Sequence, residues 1–131
     1  MATNYGYTKQ LENVDYDQAL PRVVEALKSE GFGVLTEIDV KETLKKKIDV
    51  DFRRYKILGA CNPALAHQAL SQEALIGLLL PCNVVVFDDD HGGSVVAFTN
   101  ALERFKLVDR PEMQGLADEV DAKLRRALDR V

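Results

Sequence analysis

Two apolar segments, Val84 to Phe87 and Ser94 to Thr99, are separated only by Asp88-Asp89-Asp90-His91-Gly92-Gly93. A link this short cannot carry a chain back along a sheet, because parallel neighbours need a crossover of about a dozen residues or more. The two segments are therefore an antiparallel hairpin, and the Asp- and Gly-rich link is its turn. Val84 to Phe87 is apolar on both faces, which suits a central strand.

The other elements are placed around this hairpin by hydrophobic period. Tyr5, Tyr7 and Leu11 lie near alternate positions and predict a first strand. Asp15 and Asp17 are helix caps, and Leu20, Val23, Val24 and Leu27 follow the spacing of one apolar helix face. Pro21 is tolerated in a first turn, so this helix is expected to start near Asp17. It ends at Gly31, which takes positive φ without steric cost. Phe32, Val34, Thr36 and Ile38 alternate as a second strand. Asp39 with Glu42 then resembles a capping box before Val40, Leu44 and Ile48. Tyr55 to Cys61 is a third strand. Asn62-Pro63 opens a helix reaching about Gln72, with Asn as cap and Pro at the first helical position. Asn100 and Glu103 cap a short helix. Pro111 opens the last one, whose stripe is Met113, Leu116, Val120, Leu124, Ala127, Leu128 and Val131. The order β-α-β-α-β-α-β-β-α-α predicts a single α+β domain over residues 1–131, with a mixed sheet of about five strands.

Composition supports a folded chain. The 131 residues are 47% hydrophobic and 29% charged, with a net charge of −4. That balance excludes bulk disorder and a general affinity for polyanions. Residues Met1 to Leu11 lack the basic start and apolar run of a leader peptide. The longest apolar stretch, Ala74 to Phe87, is broken by Pro81 and Asn83 and is too short to span a bilayer. A cytoplasmic protein without membrane contact is the expectation. Cys61 and Cys82 make no disulfide framework and start as free thiols there.

Several groups of residues offer chemistry. Leu58-Gly59-Ala60-Cys61-Asn62-Pro63 is echoed by Leu79-Leu80-Pro81-Cys82-Asn83-Val84, each Cys-Asn pair at a strand edge. Cys61 directly precedes a helix cap, where positive potential raises the thiolate fraction, and His67 lies about one turn into the same helix. The other reading makes both cysteines small buried hydrophobes. Cys61, His67 and Cys82 fall short of a zinc set, having three ligands and no close pair, so no metal is expected. Nor does a cofactor fingerprint appear: there is no P-loop, dinucleotide motif or nucleophile elbow. Lys41 to Lys56 is basic, with Phe52 and Tyr55 interleaved, but its lysines sweep round a helix end as a solvated face would. Nucleic acid is thus not the expected partner.

The segments Gly31 to Val40, Tyr55 to Pro63 and Ile76 to Val86, in that order, resemble domain-of-unknown-function family 302. The resemblance covers roughly Tyr16 to Leu128. It implies a small α+β domain that associates as a homodimer, and it carries no activity, substrate or cofactor. Both Cys-containing motifs of the family pattern fall here, on Cys61-Asn62-Pro63 and on Pro81-Cys82.

The first functional expectation is a homodimeric small-ligand binding module. Its site is expected near the two Cys-Asn motifs, with Lys56, Cys61, Asn62, His67, Cys82 and Asn83 as ligand-binding residues, because sites in open sheets gather at strand ends. The alternative is a thiol-based redox or sulfur-handling enzyme, with Cys61 as nucleophile and Cys82 as resolving thiol.

Overall fold

The computed structural model describes residues 3–131. Met1 and Ala2, which the leader-peptide expectation includes, lie outside the described residues. The chain runs β1 (Gly6–Leu11), α1 (Tyr16–Lys28), β2 (Gly33–Asp39), α2 (Val40–Ile48), β3 (Tyr55–Cys61), α3 (Pro63–Gln72), β4 (Cys82–Asp88), β5 (Ser94–Thr99), α4 (Ala101–Phe105) and α5 (Gln114–Asp129). Short 3-10 turns at Ala74–Leu79, Lys106–Val108 and Pro111–Met113 fill the connections.

Local chemistry sets the element boundaries. Asp15 caps α1 reciprocally with Gln18. Asp39, Asn62 and Asn100 each accept from a backbone N–H three residues on, at the starts of α2, α3 and α4. Gly31, at φ +84°, turns the chain from α1 into β2. Pro21 departs from expectation. Helix α1 begins at Tyr16, so the proline sits in the second turn, exposed, and gives up one backbone hydrogen bond there.

The sheet order is β1-β5-β4-β3-β2, and every neighbouring pair is antiparallel. The expected mixed sheet is thus corrected to an antiparallel one. Parallel neighbours would need each helix to carry the chain back along the sheet. Helix α2 has no buried residue, and it links two antiparallel neighbours, so the chain re-enters by the end it left. The stretch with α3 and the Ala74–Leu79 turn does the same between β3 and β4, where Ala60 stands opposite Cys82. Only α1 carries the chain across, leaving β1 and β2 on opposite edges.

One sheet face is covered. Leu58 and Ala60 of β3, Val84 and Val86 of β4, and Val96 and Phe98 of β5 are buried, and they share a core with Val23 and Leu27 of α1 and Val120 and Leu124 of α5. Apart from Ala60, each of these buried side chains stabilises the fold by about 1.5–3 kcal/mol. The opposite alternation leaves Ile57, Val85 and Ala97 half-buried on an uncovered face. At one end of that face Tyr55 stacks on Phe87 at 5.3 Å, with Arg53 over the Phe87 ring at 5.6 Å. The hairpin turn is held by its own aspartates. The Asp89 carboxylate accepts from the amides of His91 (2.7 Å) and Gly93 (2.9 Å), and Asp88 accepts from Asp90 (2.8 Å).

Candidate functional site

The strand ends bearing the two Cys-Asn motifs surround a cavity of about 330 Å³. Its walls come from β2 (Leu35, Thr36), β3 (Ala60, Cys61) and α3 (Leu65, Ala66, Ala69, Leu70), closed by Gly77, Leu80, Pro81 and Cys82. Phe32, Phe105 and Val120 connect it to the core. Local sequence explains the room. Ala60, Cys61, Ala66, Ala69, Gly77 and Cys82 are all small, and small side chains facing one another leave space that large ones would fill. Leu35 and Leu70 also line the cavity and are 67% and 42% exposed, so apolar side chains reach from the cavity to solvent. Leu35 falls at an irregularity in the β2–β3 register, between Val34 and Thr36, which breaks the expected alternation there.

Of the residues expected to bind ligand, the structure brings Cys61, Asn62 and Cys82 to this cavity. Asn62 is largely committed to the fold: its side chain accepts from Leu65 N (3.3 Å) and donates to the Glu30 carbonyl (3.3 Å). His67 is exposed on α3 and is not in the cavity wall. Asn83 is exposed on β4, opposite Gly59, and Lys56 stands opposite Val86, five residues from Cys61 along β3, or about 17 Å at strand rise. Neither lines the cavity. The wall residues from α3 and Leu35 escaped the sequence reading, although the alanines recurring through Ala64, Ala66 and Ala69 were a visible sign of low side-chain volume.

The two thiols are free and differ in setting. Cys82 is buried, Cys61 half-buried. Burial pushes the Cys82 thiol up to about 11, against a smaller downward pull from the Arg104 charge; Cys61 nearby adds to the rise. Ala60, not Cys61, is the residue opposite Cys82. Cys61 is one position further on, where the strand pleat turns the side chain to the other face.

Other groups singled out by sequence are occupied structurally. Lys45 pairs with Asp49 (2.9 Å) and Asp51 (3.4 Å), Lys46 with Glu42, and Arg54 with Asp17 (2.9 Å) and Asp88 (3.0 Å). Among the described residues no group of three or more His, Cys, Asp or Glu is placed to hold a metal ion. Among them, too, no helix is long and apolar enough to cross a membrane.

The model of the family described as Domain of unknown function DUF302 matches residues 7–131. The chain belongs to this family. The DUF302 fold is also seen in the crystal structure of uncharacterized conserved protein DUF302 from Bacillus stearothermophilus. That structure is similar at 30% identity and a TM-score of 0.87, covering 98% of each chain. No curated protein matches this DUF302 chain.

Proposed function

We propose that this protein is a binding module for a small, largely apolar molecule, held in the cavity between β3, α3 and the Cys82 segment. The observation that carries the reading is the cavity itself: about 330 Å³, with leucine, alanine and phenylalanine walls, of which Leu35 and Leu70 are also exposed to solvent. That volume is at the lower end of small-molecule sites, which are mostly apolar. A thermal-shift screen of small apolar compounds tests it. Ligand at about 100 times its Kd stabilises by about 2.7 kcal/mol, a rise of several degrees. Ala66→Phe, which fills the cavity, is expected to remove that rise. A hit whose stabilisation survives Ala66→Phe binds elsewhere and refutes the assignment.

The module works as a homodimer in the cytoplasm on this reading. Support for a second copy comes from the uncovered sheet face, where Ile57, Val85 and Ala97 are apolar and half-buried. Sedimentation of the purified chain checks it, a monomer at all accessible concentrations being the contrary result. Free thiols suit a reducing compartment, and fractionation that finds the protein outside the cytoplasm overturns that placement. Sulfur-handling chemistry is less well supported than ligand binding. A resolving thiol must ionise, and burial holds Cys82 protonated at neutral pH.

A further inference from the structure

Resting on the binding reading above, we propose that the cavity's ligand is an apolar chain ending in a carboxylate, with Arg104 as its countercharge. Five arginines, Arg53, Arg54, Arg110, Arg126 and Arg130, hold carboxylates, and Arg22 and Arg125 are exposed. Arg104 is different. It is half-buried on α4, and among the described residues it forms no ion pair. Its Nη2 donates to the Leu79 carbonyl at 2.8 Å, which ties the guanidinium to the residue before wall residue Leu80, just outside the lining itself. Leu80, next to that carbonyl, and Phe105, next to Arg104, both line the cavity. The charge is also felt at the Cys82 thiol in the same wall, where it opposes the larger effect of burial.

A guanidinium has five N–H donors in a planar fork, and one bond to a carbonyl leaves the others, none of them buried without a partner, open to solvent or to a ligand. A carboxylate matches that fork with two parallel bonds. The rest of the lining is hydrocarbon and sulfur, apart from Thr36 and the already committed Asn62. An apolar tail with a single anionic head is therefore the complementary shape. Size follows from volume. A cavity of about 150 Å³ holds benzene, so about 330 Å³ holds roughly a dozen non-hydrogen atoms. Decanoate has that length.

Calorimetric titration of the full chain with decanoate and with decanol tests the charge. Wild-type protein should bind decanoate about tenfold more tightly than decanol, the effect of one hydrogen bond to a charged group. Arg104→Met should cost decanoate about tenfold more affinity than it costs decanol. Decanol affinity reports whether the cavity wall has survived the change. If Arg104→Met loses both ligands, Arg104→Lys decides: a retained preference for the acid supports the countercharge, and equal affinities overturn it. Equal binding of the two ligands by wild type, or an undiminished preference in Arg104→Met, overturns the proposal while leaving an apolar site. Failure of wild type to bind either ligand overturns the binding reading and this proposal together.

Discussion

Gly59 marks a close approach beside the cavity, next to the lining residues Thr36 and Pro81, and replacing it with alanine is expected to destabilise the protein measurably. Its backbone lies outside the left-handed region, so φ gives no reason for glycine. Space does. A Cβ at this position would stand 2.2 Å from the Thr36 hydroxyl oxygen and 2.7 Å from Pro81 Cγ. Ordinary van der Waals contact starts near 3.4 Å, so each neighbour has to retreat by roughly 1 Å. Thr36 can swing its hydroxyl to another rotamer. The Pro81 ring has no such freedom and must move with its backbone. Overpacking of this kind costs about 1–3 kcal/mol. For a chain of this length that lowers Tm by about 3–10 °C. Urea unfolding followed by circular dichroism reads the change as a lower midpoint at unchanged slope. Thr36→Ala in the Gly59→Ala background should recover part of the loss, because one of the two obstructions is gone. A Gly59→Ala midpoint within about 0.5 kcal/mol of wild type would show that Pro81 and Thr36 do not close over β3 as described.

Three other outcomes are expected. Tyr7→Phe removes the phenol that donates to the buried Asp121 carboxylate (2.9 and 3.1 Å); the loss should be about 1–3 kcal/mol in urea melts, and a neutral result would mean that Asp121 is solvated. Glu30 is held below its usual value of 4.5 by hydrogen bonds from Arg126 and Arg130, so the stability it adds is present above pH 4.5 and is lost as pH falls through the lowered value. Both arginines are half-exposed, so Glu30→Gln should cost about 1 kcal/mol at pH 7 and nothing at the acid end, which melts across pH 2–7 will resolve; a penalty independent of pH contradicts the pairing. Iodoacetamide at neutral pH should label Cys61 alone in the folded protein, with Cys82 reacting only after denaturation; mass spectrometry showing prompt labelling of Cys82 would contradict its burial.

Much of the fold could be read from short-range signals, because caps and turns act locally. Asn62-Pro63 opens α3, Asn100 caps α4, and the aspartates of the hairpin turn bond their own backbone, all as residue type dictates. What depends on distant partners was less visible. Strand direction turned on whether α2 and α3 cross the sheet or stay at its ends, and the helix sequences alone do not carry that information. Leu35 reads as the outward half of an alternating strand, yet a register irregularity brings it to the cavity wall. The candidate site divides in the same way. Cys61, Asn62 and Cys82 meet because β3 and β4 are neighbours, whereas His67 points to solvent from the same helix whose alanines shape the cavity. Empty volume is a property of several small side chains facing each other, which no single motif announces.

A heteronuclear NMR titration of the protein with decanol is the measurement that bears most directly on the cavity. Amide shifts should change along β3 and α3 from Ala60 to Leu70 and at Pro81's neighbour Cys82, and the same residues should be silent in Ala66→Phe. Shift changes centred instead on Ile57, Val85 and Ala97, or none at saturating ligand, would contradict a ligand site between β3 and α3.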